Sequence, residues 1–169
     1  ELEDLLKWCF KHELGPGILP YEVEPANKYG VISAIVPHAG YMYSGPCAAH
    51  VYIRIREDRI PDTIILIGPN HTGLGYPVSV YPSGVWRTPL GDLRIDEDLV
   101  KKLVAYGEIF KMDTIAHSEE HSLEVQLPFI IYTLGTRVNI VPIAMMDQRL
   151  SVARDLAGVI VDILSLIHI

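Results

Sequence analysis

Apolar residues recur at helical spacing at the start of the chain, at Leu2, Leu5, Leu6, Cys9 and Phe10, and Gly15-Pro16-Gly17 ends the predicted helix. After a polar stretch from Tyr21 to Gly30, Val31-Ile32-Ser33-Ala34-Ile35-Val36 forms a nearly unbroken run rich in β-branched residues. Such a run predicts a strand buried on both faces. Pro46 to Arg56 reads as helix, with Pro near its first turn, where the missing N–H costs little. Thr63 to Ile67 predicts a second buried strand, closed by Gly68-Pro69. A Gly/Pro-rich stretch from Gly73 to Gly91 holds one short strand around Val78–Tyr81. A helix from about Asp96, its N-cap, to Tyr106 follows, then a helix from Ser122 to Leu134 in which Pro128 sets a kink or a limit. Val138 to Ile143 is a third buried strand, and Leu150 to about Leu164 a last helix.

Strands alternating with helices predict an α/β fold, a three-layer αβα sandwich with a largely parallel or mixed central sheet. No internal repeat or low-complexity segment marks a boundary, so one domain is expected. The 169 residues suffice for a real core. With 14 basic and 21 acidic residues the formal charge is −7, and no Lys/Arg cluster exists to neutralise phosphates, which argues against nucleic acid as partner. The most apolar stretch, Leu156 to Ile169, carries Asp162 and His168 and is short for a membrane span. Cys9 and Cys47 form no disulfide framework or metal knuckle; both read as core residues, and their scarcity fits a reducing cytoplasm.

In open α/β sheets, ligands gather beyond the carboxyl ends of the strands. His38 follows the first predicted strand and His71 the second. If those strands are neighbours, two imidazoles converge on one point, the usual start of a zinc, iron or copper site. The alternative is that each caps a loop or faces solvent. Gly40, Gly45, Gly68 and Gly73 permit tight turns. Tyr41, Tyr43, Ser44 and Asn70 are candidates for orienting the rings, or ordinary loop residues. Arg87-Thr88-Pro89-Leu90-Gly91 reads as a loop able to cover the site.

A third cluster is His117-Ser118-Glu119-Glu120-His121, with Glu124 one turn further on. Positions 117, 121 and 124 share a face if the helix begins early enough, and the string matches H-x-x-E-H, the inverted zincin motif with Glu120 as general base. Those enzymes need a downstream ligand, usually Glu, and no glutamate follows Glu124. The competing reading is a first helical turn whose acids favour the helix dipole, with His121 bonded to backbone.

Four strings taken together resemble the Memo family: Pro37-His38-Ala39-Gly40-Tyr41-Met42-Tyr43-Ser44-Gly45, Gly68-Pro69-Asn70-His71-Thr72-Gly73, Val85 to Gly91, and Glu120-His121-Ser122-Leu123-Glu124-Val125-Gln126-Leu127-Pro128-Phe129. The resemblance covers residues 1 to about 160 and is closest to the archaeal branch, protein B of the AmmeMemoRadiSam system. It implies a fold similar to class III extradiol dioxygenases and a pocket for iron or copper, with His38 and His71 as metal ligands and a later cysteine as the third. His121 and Glu124, with Tyr41, Ser44 and Asn70, are the remaining pocket candidates. The resemblance also implies AMMECR-type and radical SAM proteins as partners, a redox or oxygenase-like role, or binding of a peptide. Neither Cys9 nor Cys47 matches the family cysteine, so this chain holds two of the three expected ligands and its own metal binding is expected to be weak or absent. The sequence is therefore expected to be somewhat more than half of a larger domain, truncated at both ends, with Leu164 to Ile169 a non-native tail.

Overall fold

In the computed structural model, residues 1–27 and 30–166 are described. Their elements are α1 (Leu2–Lys11), α2 (Tyr41–Asp58), β1 (Thr63–Pro69), β2 (Val78–Val80), β3 (Val85–Thr88), β4 (Gly91–Arg94), α3 (Glu97–Tyr106), β5 (Lys111–Met112), α4 (Leu127–Leu134), β6 (Asn139–Met145) and α5 (Leu150–Leu166), with short 3-10 turns between them. The expected non-native tail falls largely on residues 167–169, outside the described residues; residues 164–166 continue α5. The fold class is α/β, and the chain divides into two compact units.

The first unit comprises Glu1–Asp62, Trp86–Leu93 and Glu124–Asn139. Helices α1, α2 and α4 pack together around aromatic rings. Phe129 meets Phe10 and Tyr41 edge-on, at centroid separations of 5.9 and 5.5 Å, and stacks on Tyr52 at 5.2 Å. The Tyr52 hydroxyl is buried and donates to Gln126 Oε1 at 2.8 Å, which removes the cost of an orphaned polar group. Gly45 is required where α2 crosses α1, because a Cβ there would stand 2.4 Å from Cys9 Sγ. Helix α2 starts at Tyr41, five residues before the predicted start, so Pro46 lies inside it. Cys9 is buried as expected, whereas Cys47 is exposed on the outer face of α2.

The second unit comprises Thr63–Val85, Arg94–Leu123 and the chain from Ile140 to the end of α5. Its sheet has the order β1-β6-β2-β5, with β2 parallel to β5 and antiparallel to β6. The Asn139 N–H donates to Asp62 O and the Asn70 N–H to Met145 O, so β1 and β6 run in the same direction. Strand β6 is central, with Ile140 to Ala144 buried. Asp96 caps α3 as predicted, accepting from the Leu99 N–H at 3.0 Å.

Four expectations fail, each for a local reason. Val31 to Val36 belongs to no strand; Ile32 and Ile35 are 88% and 97% exposed. The run takes no regular secondary structure, and the N–H groups of Gly30 and Val31 turn to the buried Asp58 carboxylate, at 2.9 and 2.8 Å. Strand β1 forms, yet as an edge strand it is only half-buried, and Ile67 is 46% exposed. The helix predicted from Ser122 begins at Leu127, with Pro128 in its first turn rather than at a kink. The stretch expected to be a covering loop is the turn of the β3–β4 ribbon, where Gly91 has φ +142°.

Asp96 joins two elements, since its Oδ2 also accepts from Thr63 Oγ1 at 2.6 Å, at the start of β1. Asp96→Ala should lower unfolding free energy by about 1–3 kcal/mol, from the lost cap and the lost Thr63 bond. Chemical denaturation with an unchanged slope and a lower midpoint checks this.

Candidate functional site

The second unit builds a site at the carboxyl end of β1. The strand ends in Gly68-Pro69, and Asn70 is buried. Its side chain organises the next turn: Oδ1 accepts from the Thr72 N–H, the Thr72 hydroxyl and the Gly73 N–H at 2.9–3.0 Å, while Nδ2 donates to Leu74 O at 2.7 Å. Gly73 has φ +70°, as that turn requires. His71 is carried on this rigid turn with its side chain 46% exposed.

The segment 120–123 lies directly against the strand end. A Cβ on Gly68 would meet Leu123 Cδ2 at 2.7 Å and Ser122 Oγ at 2.9 Å, so glycine permits the approach. The Ser122 hydroxyl donates to Pro69 O at 3.0 Å and fixes it. Glu120 is thereby placed beneath His71, with its side chain 1% exposed. Its Oε1 accepts from His71 Nδ1 at 2.9 Å and from the Ser122 N–H at 2.8 Å, and its Oε2 accepts from the His71 backbone N–H. Burial alone would raise the Glu120 pKa, but the His71 and Ser122 donors outweigh it and hold the carboxyl at about 2.

His121 completes the group. Its ring stacks on that of His71, with centroids 5.0 Å apart and planes 21° from parallel, and its Nδ1 is 3.7 Å from Glu120 Oε1. One ligand atom from each of His71, Glu120 and His121 lies within 4.8 Å of the others. A buried carboxylate under two half-exposed imidazoles is a donor set for a divalent transition ion.

The H-x-x-E-H helix does not form. His117 ends a 3-10 turn, buried, with its ring edge-on to Tyr81 at 5.5 Å, and it is not a member of the His71–Glu120–His121 group. Burial pushes its imidazole pKa down, against the opposing pull of Asp113 and Glu120. Glu124 begins a 3-10 turn in the first unit and is exposed. Glu120, expected as the base of that motif or as an acid in a first helical turn, is instead the group that His71 leans on. The usable signal was its position beside His121 together with the Gly68 that admits it.

His38 belongs to the first unit, just before α2, and is half-buried. Its turn is tied down on both sides: Gln126 Nε2 donates to Pro37 O at 3.1 Å, and Ser44 Oγ donates to Ala39 O at 3.1 Å. The Tyr41 hydroxyl donates to Val125 O at 3.0 Å, and burial pushes its pKa up to about 12. Ser44, Tyr41 and Asn70 are thus all engaged with backbone. Cys9, whose thiol burial raises to about 11, is no ready thiolate ligand.

Comparison with known proteins now bears on these strings. The family model described as Memo-like protein matches residues 1–165. The chain belongs to the Memo family. MEMO1 family proteins of three archaea illustrate the relationship. That of Desulfurococcus amylolyticus is 51% identical over 159 residues, 93% of this chain and 55% of the relative. That of Sulfurisphaera tokodaii is 47% identical over 157 residues, 93% of this chain and 55% of the relative. That of Methanopyrus kandleri is 45% identical over 164 residues, 96% of this chain and 57% of the relative. This Memo chain therefore spans just over half the length of the curated relatives it matches. Among its described residues, no helix is long and apolar enough to cross a membrane.

The site predicts an acid profile. Glu120 titrates well below its ordinary 4.5 when folded, so its contribution is full above about pH 4.5 and is lost as pH falls through about 2. His117, held neutral by burial, adds a loss that starts as pH falls below 6.5, where the unfolded imidazole takes a proton first. Unfolding free energy measured from pH 7 to pH 2 should fall in both windows. Glu120→Gln should flatten the lower one and leave the upper one in place.

Proposed function

We propose that the intact Memo-family protein binds a transition metal, iron or copper, with His38 and His71 among the ligands. The observation that carries the reading is the buried Glu120 carboxylate on His71 Nδ1, because a carboxylate–imidazole pair fixes ring orientation and raises ligand basicity. The donors gathered in the second unit are nitrogen and oxygen, a chemistry that fits ferrous iron better than the softer cuprous ion. His38 enters through its place in the Pro37–Gly45 string. A bound metal would supply Lewis acidity or a one-electron couple; the residues here hold, orient and charge-balance it. A redox or oxygenase-like reaction, and the AMMECR-type and radical SAM partners, belong to this same proposal for the whole protein.

A second reading, a non-catalytic module that binds a peptide or partner protein, is favoured by one feature of the first unit. Ile32, Ile35, Met42 and Tyr43 are 63–97% exposed within a span of twelve residues, an apolar stretch that a soluble surface rarely leaves open.

Metal analysis separates the two. The full-length protein loaded anaerobically with iron or with copper, then desalted, should retain metal close to equimolar, and His38→Ala and His71→Ala should each reduce it; this chain alone should hold metal weakly. Metal content unaffected by both substitutions contradicts the ligand assignment and leaves the binding module.

A further inference from the structure

We infer that Val31 to Val36 is an uncovered strand position whose occupant is the part of the Memo polypeptide outside the matched span: a neighbouring strand, with an apolar layer over each face. The inference is independent of the metal-binding reading. It gives the exposed stretch an occupant other than a foreign peptide.

The run itself sets the requirement. Val31-Ile32-Ser33-Ala34-Ile35-Val36 holds four β-branched apolar residues and no charge, Pro or Gly. Side chains alternate between faces along a strand, so Ile32 and Ile35 belong to opposite faces. They are 88% and 97% exposed, which leaves both faces bare. Among the described residues, no hydrogen bond reaches the backbone of residues 32–36, so its N–H and C=O groups are open to a neighbour.

The run is nevertheless held at both ends. On one side the buried Asp58 carboxylate accepts from the Gly30 and Val31 N–H groups. On the other, Gln126 Nε2 donates to Pro37 O, and Gln126 is fixed in turn by the Tyr52 hydroxyl. A segment pinned at its ends and unpaired between them is pre-organised, because little ordering entropy opposes the arrival of a partner.

The two bare faces decide between occupants. A peptide strand added at one edge satisfies backbone groups but covers neither face. A second copy paired through the same run makes an isolated two-stranded ribbon, which is marginal in water. Strands apolar on both faces occur where layers cover both. Enough chain exists in the relatives to supply them, since the match spans 55% of the Desulfurococcus amylolyticus protein and 57% of the Methanopyrus kandleri protein. The second unit shows the same deficit by itself. Ile64-Ile65-Leu66-Ile67 of β1 forms an unbroken apolar run on the edge of its sheet, without the Lys or Pro that shields exposed edges.

Hydrogen–deuterium exchange on the 169-residue chain and on the full-length Desulfurococcus amylolyticus protein tests this. Amides 32–36 should exchange close to the unfolded rate in the chain, and the aligned amides at least about a hundredfold more slowly in the full-length protein. Ile35→Asp should leave the unfolding temperature of the 169-residue chain unchanged, whereas Asp at the aligned position should lower that of the full-length protein or prevent its folding. Equally fast exchange of this segment in the full-length protein overturns the inference and leaves the surface to a peptide. Protection that appears in the 169-residue chain as its concentration rises, with a dimer in sedimentation, overturns it in favour of a second copy.

Discussion

A charged carboxylate with 1% of its side chain exposed can exist only where donors replace water, and in this protein Glu120 finds them at the end of β1. That constraint organises the second unit's functional end. Gly68 must lack a Cβ for the segment 120–123 to approach, and Ser122 must donate both its N–H and its hydroxyl, one to Glu120 and one to Pro69. Asn70 must hold the following turn so that both the backbone and the ring of His71 face the same carboxylate. Without Glu120, the His71 and Ser122 N–H groups would lose their acceptor, each at a cost of about 1–3 kcal/mol where water cannot reach. The residues that hold the fold at this point are therefore the ones that position the His71 ring.

The first unit depends on a different contact, the set of rings around Phe129. Because Tyr52 stacks on Phe129 and bonds to Gln126, that glutamine is fixed, and its amide then holds Pro37 O and with it the turn carrying His38. Tyr41 repeats the logic from the other side, with its ring edge-on to Phe129 and its hydroxyl on Val125 O. Residues flagged as pocket candidates are in this way the supports of the His38 turn, acting through backbone bonds rather than through an open side chain.

Local pattern made much of this legible. Strands β1 and β6, helices α1, α3 and α5, and the Asp96 cap all follow from periodicity and capping chemistry, which need no distant partner. Val31 to Val36 shows the limit. Its residues favour a strand, but a strand is defined by its neighbour, and here the first N–H groups are bound by the Asp58 side chain. The Ser122 start was misplaced because Pro128 is equally compatible with a kink and with a first turn, and the structure takes the second. His71 and Glu120 are 49 residues apart, a contact that no local spacing encodes. The H-x-x-E-H string did contain two of the three clustered residues, but reading it as one helical face paired His121 with His117 rather than with His71.

The most direct measurement is the protonation pattern of the His71 ring, read by two-bond proton–nitrogen NMR correlation. The account predicts a proton on Nδ1, donated to Glu120. A His71 ring that carries its proton on Nε2 alone would contradict the Glu120–His71 contact on which the account rests.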